Sequence, residues 1–200
     1  MTASAAPGTR TKILIAAATM LGEDPAARLS VRAVAARAGV STGSLRHFFP
    51  TQQALIDTVV AGLQTLDIPE DPMADTARGP AERLEACLHL LLAAVGAGDE
   101  ARRHWTSLHN AYVASPPPED ATHAFLALER LGVDRVKRWL TALQEEGVIV
   151  ADDLEAPARF LLTVVNGLAF ERALPGARAR IGFEADTLKT AVSAVLCHSE

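Results

Sequence analysis

The chain has 200 residues, 49% of them hydrophobic, enough for a folded core and too many for wholesale disorder. Only 4% are aromatic, while alanine and leucine dominate, so the composition favours helices over strands and predicts an all-α fold. The net charge of −5 speaks against a polyanionic partner for the chain as a whole, but the charge is unevenly spread.

The opening residues, Met1–Thr9, are small and polar and carry no apolar stretch of the kind a secretion signal needs, so a cytoplasmic location is expected. Ile13, Leu14, Ala17, Ala18 and Leu21 mark one face of a first helix that ends before Glu23-Asp24-Pro25. Ser30 is placed to cap a short helix burying Val31, Val34, Ala35 and Ala38, and Gly39 supplies the left-handed backbone that stops it. Ser41 caps a second short helix carrying Leu45. Thr51, after Pro50, caps a longer one through Leu55, Val59 and Leu63.

From Asp67 to Pro80 the composition turns to Pro, Asp, Gly and Met, which reads as a linker. Pro80 suits the first turn of a helix running to about Val95. Another helix starts at Asp99 and stops at Ser115 and the prolines Pro116-Pro117-Pro118. A long one then reaches Glu146, closed by Gly147. The last two are expected from about Leu154 to Ala173 and from Glu184 to Cys197, making about nine helices in all. The longest apolar stretch, Phe160 to Phe170, is broken by Thr163, Asn166 and Gly167. It falls short of the roughly 18 apolar residues a membrane span needs, so no membrane partner is expected.

The chemistry concentrates between Leu29 and Ile56, LSVRAVAARAGVSTGSLRHFFPTQQALI. Two short helices flank the turn Ala38-Gly39-Val40-Ser41, the arrangement of a helix-turn-helix. Packing of Val34 and Ala35 on Leu45, with Val40 in the corner, would hold the second helix at the surface, where its residues reach base edges in a major groove. The expected DNA-binding residues are Arg32, Ser41, Thr42, Gly43, Ser44, Arg46, His47 and Thr51. Arginine pairs bidentately with guanine, and hydroxyls suit phosphate oxygens. The charge follows the same division: from Met1 to Ile56, Arg10, Lys12, Arg28, Arg32, Arg37 and Arg46 outweigh Glu23 and Asp24 to give +4, leaving −9 for the rest. A basic head on an acidic body fits a head that alone meets DNA.

This stretch resembles the DNA-binding domain of the TetR family, without gaps from Thr9 to Ile56. Thr9-Arg10-Thr11-Lys12-Ile13-Leu14 is similar to that family's first-helix start and Ser30-Val31-Arg32 to its second. Ala38-Gly39-Val40-Ser41 with Gly43, Leu45, Phe49 and Leu55 is similar to its recognition helix and the beginning of its fourth helix. Three positions depart from the pattern: Arg46 stands for the usual tyrosine, Phe48 for a histidine or tyrosine, and Gln52 for a lysine. Fewer fixed backbone contacts imply a shallower salt dependence and more weight on base reading through Arg46.

The resemblance implies a flexible tail over 1–8, a helix-turn-helix DNA-binding domain with its connecting helix over 9–66, a linker over 67–80, and a helical-bundle ligand-binding and dimerisation domain over 81–200. Asp99-Glu100-Ala101-Arg102-Arg103-His104-Trp105 and Asn166-Gly167-Leu168-Ala169 are similar to the C-terminal type of BetI-like members. The implied function is a homodimeric repressor of a palindromic (inverted-repeat) operator, released by a small-molecule effector whose identity the sequence does not reveal. An activator or a ligand-independent regulator fits the same residues; a helical small-molecule-binding protein or enzyme is the competing class.

For the dimer, the last two helices offer Leu161, Leu162, Val165, Leu168 and Ala169, then Leu188, Val192 and Val195, although an intramolecular core explains the same periodicity. For a pocket, Trp105, His109 and Tyr112 fall at i, i+4, i+7, with Trp139, Asn166 and Phe170 to complete it; ordinary core packing is the alternative for each. Catalysis and metal binding are not expected. His89, His104, His109 and His123 are scattered, Cys87 and Cys197 fit no zinc or CxxC spacing, and no phosphate loop or GxSxG occurs. Glu145-Glu146 and Asp152-Asp153 sit at helix ends, where solvated charge is the expectation, and no cofactor is called for.

Overall fold

Serine caps and glycine stops divide the first part of the chain into short helices. A computed structural model describes residues 8–23, 29–64 and 71–197. Its helices are α1 (Thr9–Glu23), α2 (Val31–Ala38), α3 (Thr42–Phe48), α4 (Gln52–Gln64), α5 (Pro80–Ala93), α6 (Asp99–Leu108), α7 (Glu119–Glu145), α8 (Glu155–Glu171) and α9 (Ala177–Cys197). A 3₁₀ turn, Pro72–Ala74, precedes α5, and a π-helical turn, His109–Val113, extends α6. The described residues contain no strand, so the chain is all-α. None of the described helices is long and apolar enough to cross a membrane. The expected tail up to residue 7, the Asp24-Pro25 break and linker residues 67–70 lie outside the described residues.

The chain divides into two compact units, Met1–Leu66 with Ser107–Glu129, and Asp67–Thr106 with Arg130–Glu200. The sequence assigned all of 81–200 to one domain; 107–129 instead belong to the first unit. In that unit Ile13, Ala17, Val34, Leu45, Leu55 and Ile56 are buried together with Ala124 of α7. Helix α1 packs on α2, α3 and α4.

In the second unit α5 packs on α8 and α9 around Leu84, Leu88, Leu140, Leu143, Leu161 and Leu188, all fully buried. The stretch read as a linker contributes from residue 71 onward: Met73 is 7% exposed and belongs to this core. Asp71 caps the 3₁₀ turn by accepting from the Met73 N–H at 3.0 Å and also accepts from the Cys87 thiol at 3.5 Å. Burial, reinforced by the Asp71 carboxylate, pushes the Cys87 thiol up to about 12. Half-buried Arg172 closes this unit, donating to both carboxylate oxygens of buried Glu184 (2.7 and 2.6 Å) and to the Leu92 carbonyl at the end of α5 (2.7 Å).

Two boundaries differ from expectation for physical reasons. Helix α9 begins at Ala177, well before Glu184, because its first two turns leave Ile181 and Phe183 exposed and so show no inward apolar period. The helix after Asp99 ends as a π turn, with the Ala114 N–H donating to the His109 carbonyl at 2.9 Å. By contrast, Gly147, at φ 75°, stops α7 where expected, and the Val148 N–H returns to the Leu143 carbonyl at 2.9 Å.

Candidate nucleic-acid interface

Helix α3 is set by hydrogen bonds the sequence dictates at both ends of the preceding turn. Ser30 Oγ accepts from the Ala33 N–H at 3.2 Å and starts α2. At its other end Gly39 adopts φ 67°, its N–H meets the Ala36 carbonyl at 3.2 Å, and the Val40 N–H reaches the Ala35 carbonyl at 3.0 Å. That pair of bonds is the Schellman stop, which a side chain at position 39 would strain. Ser41 Oγ then accepts from the Ser44 N–H at 3.0 Å to start α3, and Thr51 Oγ1 accepts from the Ala54 N–H at 3.0 Å to start α4.

Leu45 is fully buried and anchors α3, so the rest of that helix faces outward. Thr42, Gly43, Arg46 and His47 are exposed and Ser44 is half-buried. Exposed Arg32, on α2, and Ser41 and Thr51, at the caps, complete the expected set. The ring of His47 stands edge-on to Phe48 at 5.1 Å, which links its orientation to that neighbour.

Two arrangements in this head were not legible in the sequence. Arg10 lies over the ring of Phe49 at 5.5 Å, a cation–π contact that ties the start of α1 to the end of α3. Arg37 pairs with Glu23, so one of the six basic residues is occupied within the fold. Arg46, Arg32, Arg10 and Lys12 remain as exposed positive charge.

The pocket residues divide between the units. His109 and Tyr112 belong to the first, where His109 is exposed and Tyr112 packs on Phe125 at 4.8 Å. Trp105 lies on α6, whereas His109 and Tyr112 lie in the π turn His109–Val113, where the repeat is wider than in an α-helix. Trp105, Trp139, Asn166 and Phe170 belong to the second unit. Trp105 and Phe170 meet edge-on at 5.4 Å, and the Trp105 indole N–H is buried without a hydrogen-bond partner. Trp139 is a core residue, 3% exposed, and Asn166 is exposed.

The expected dimer residues are mostly core. Leu161, Val165, Leu168, Ala169, Leu188 and Val192 are buried within the second unit, while Leu162 and Val195 are half-buried. They face inward because they seal α8 and α9 against α5 and α7. The outward side of α8 and α9 carries Phe160 (46% exposed) and Phe183 (67%), with Val164, Thr187, Thr190 and Ala194 lining a groove of about 390 Å³ between them. Phe160 also walls a neighbouring cavity of about 430 Å³ with Ile149, Pro157 and Val195.

Glu146 is also not simply solvated. Arg83, 3% exposed on α5, donates to both its carboxylate oxygens and to the Met73 carbonyl at 3.0 Å. That hydrogen bonding by Arg83 holds the Glu146 carboxyl below the usual carboxylate range. Among the described residues no cluster of three His, Cys, Asp or Glu side chains is arranged to hold a metal.

An all-helical chain whose first unit presents a capped helix-turn-helix has the architecture of a DNA-binding regulator. Residues 13–59 match the model of the bacterial regulatory proteins of the tetR family. Solved structures share the fold along nearly the whole chain. A protein described as a tetR-type transcriptional regulator from Streptomyces avermitilis is 23% identical, covering 94% of this chain and 98% of that one with a TM-score of 0.61. A transcriptional regulator from Rhodococcus sp. Rha1 is 21% identical, covering 96% and 98% with a TM-score of 0.56. FadR of Thermus thermophilus, a TetR-family repressor solved with lauroyl-CoA, is 23% identical, covering 94% and 93% with a TM-score of 0.50. No curated protein matches the chain.

Proposed function

We propose that this protein is a DNA-binding transcriptional repressor that grips an inverted-repeat operator as a homodimer and is released by a small-molecule effector. The observation that carries the reading is the presentation of α3: Leu45 is buried while Thr42, Arg46 and His47 are exposed beside exposed Arg32. Arg46 reads a guanine edge, and Arg32, Ser41, Thr42, Gly43, Ser44, His47 and Thr51 hold the backbone and adjoining bases.

A second copy covers the outward apolar face of α8 and α9 around Phe160, Val164 and Phe183. The symmetry of such a dimer places its half-sites about one helical turn, roughly 34–36 Å, or a multiple apart. The second unit is of the BetI-like type, on the strength of Asp99–Trp105 and Asn166–Ala169. Its unpartnered Trp105 indole N–H is a donor available to an effector's acceptor atom. The effector acts by binding the DNA-free form more tightly than the DNA-bound form.

Selection from a random duplex library, followed by a gel-shift titration of the enriched sequence, tests the reading. The expected result is a palindromic consensus bound by a dimer. Recovery of no enriched sequence, with retention on DNA no better than that of a neutral protein, overturns it.

A further inference from the structure

Arginine leaves water readily only when a carboxylate goes with it. In the second unit, buried Arg83 clasps Glu146, half-buried Arg172 clasps Glu184, and half-buried Arg180 lies 3.8 Å from Glu171. Arg135, half-buried on α7 within the same unit, has no such partner among the described residues. Its Nε is shut off from water with no acceptor, and its guanidinium makes no hydrogen bond or ion pair with a described residue. The acid within electrostatic reach is Asp71, and that carboxylate is already taken. Its Oδ1 accepts from the Met73 N–H and the Cys87 thiol, and its Oδ2 from the indole of Trp139, one turn along α7 from Arg135. Arg138, three residues on, adds a second positive charge close by.

Burial, and then the Arg138 charge, disfavour the cationic form of Arg135 and hold it below the ordinary arginine value. An arginine nevertheless stays charged at neutral pH, so the group is a cation short of an anion. The imbalance is wider than one residue. Among the described residues the buried side-chain polar atoms without a partner are Arg83 Nε, Trp105 Nε1 and Arg135 Nε, and all three belong to the second unit. Each is an N–H donor, and no buried side-chain oxygen there is left over. What this unit lacks is acceptors, and at Arg135 a negatively charged one. A planar guanidinium offers paired N–H groups that match two oxygens of a carboxylate or a phosphoryl group.

We propose that Arg135 anchors the small-molecule effector of the second unit, and that this effector carries an oxyanion, a carboxylate or a phosphoryl group. The regulatory part rests on the function proposed above; the anion site itself does not. Held without a partner, the charge costs the ligand-free fold stability. An incoming oxyanion meets a cation already partly stripped of water, so less of the attraction is lost to desolvation on the protein side. Arg135 also sets selectivity that the neutral Trp105 donor does not. A neutral alcohol or amide of the same shape leaves the guanidinium unpaired, whereas an anion forms charge-assisted hydrogen bonds to it.

Thermal unfolding of the full chain, wild type beside Arg135→Met, tests the site without DNA. In sodium chloride alone Arg135→Met is expected to melt about 2–4 °C higher, because it keeps an apolar stem and drops the unpaired charge. Sodium phosphate and sodium acetate are then compared at matched ionic strength. Phosphate strengthens burial in any protein, so the readout is the difference between the two chains. One of the two anions is expected to raise wild type by about 2 °C more than Arg135→Met, acetate marking a carboxylate and phosphate a phosphoryl group. An Arg135→Met chain that melts no higher than wild type, or equal responses of the two chains to both anions, overturns the site. Fluorescence anisotropy with the selected operator forms the second arm. The stabilising anion is expected to weaken wild-type binding roughly fivefold against chloride of equal ionic strength and to leave Arg135→Met unchanged. Equal losses in both chains, beside a Tm difference that stands, overturn the effector role and leave the anion site standing. Recovery of no operator overturns the regulatory reading and also leaves that site standing.

Discussion

Asp71 accepts the indole N–H of Trp139 at 3.2 Å across 68 residues of sequence, joining the segment before α5 to the C-terminal part of α7. The same carboxylate caps the Met73 N–H and takes the Cys87 thiol. Replacing it by alanine strands a buried indole donor, so Asp71→Ala is expected to cost about 1–3 kcal/mol in urea unfolding. Trp139→Phe, which removes the donor and keeps an aromatic ring, should lose less than Trp139→Ala. Equal losses in that pair would assign Trp139 to packing alone.

Arg172 and Glu184 form a largely buried ion pair whose two side chains are 13% and 5% exposed. Arg172→Ala leaves the carboxylate buried and unpaired, and the expected loss is about 3–5 kcal/mol. Arg172→Met combined with Glu184→Leu should recover much of it, because the desolvation of both charges disappears together. Chemical unfolding of the three variants gives the comparison.

Arg83 and Glu146 make stability depend on pH in a fixed direction. The Glu146 carboxyl lies below its ordinary value in the fold, so its contribution is complete above the unfolded-state value and is lost as pH falls through the folded-state value. The urea midpoint of wild type is therefore expected to exceed that of Glu146→Gln at about pH 7 and to approach it toward about pH 3. A constant gap over that range would count against the pair as the origin.

Phe160 and Leu161 are neighbours on α8 with opposite surroundings, 46% and 0% exposed. If the proposed dimer forms through this face, Phe160→Glu is expected to give a monomer in light scattering while leaving the thermal transition of each chain cooperative. Leu161→Ala should cost about 2–5 kcal/mol by opening a cavity. A Phe160→Glu chain that stays dimeric would move the interface elsewhere.

On α3, Arg46→Ala should weaken operator binding by about 1–3 kcal/mol and relax the preference at one base pair of each half-site. Arg32→Gln, if it touches only phosphate, should weaken all sequences alike and reduce the salt slope by about 1. Gel-shift titrations at several salt concentrations separate these effects.

The head was legible because its signals are local. Ser30, Gly39, Ser41 and Thr51 act on backbone groups within a few residues, and each cap takes the partner its type demands. The face-to-face arrangement of the last helices was not, because α8 is apolar on two sides. The strip of Leu161, Val165 and Leu168 is the regular one, and it seals the core, while Phe160 and Val164 point the other way. The π turn at His109 carries no compositional mark, so the sequence read a regular helix there. Pairs such as His123 with Asp57 or Arg83 with Glu146 depend on tertiary closeness, and spacing along the chain does not reveal them.

The buried sulfur beside Asp71 has a practical corollary. Thiolate is the form that attacks maleimides, disulfides and peroxide, and a thiol held up to about 12 supplies almost none of it at neutral pH. Cys197, exposed at the end of α9, is the accessible sulfur. The natural chain therefore offers a single-site attachment point for a fluorophore or spin label, and oxidants reach its C-terminal helix before they reach its interior.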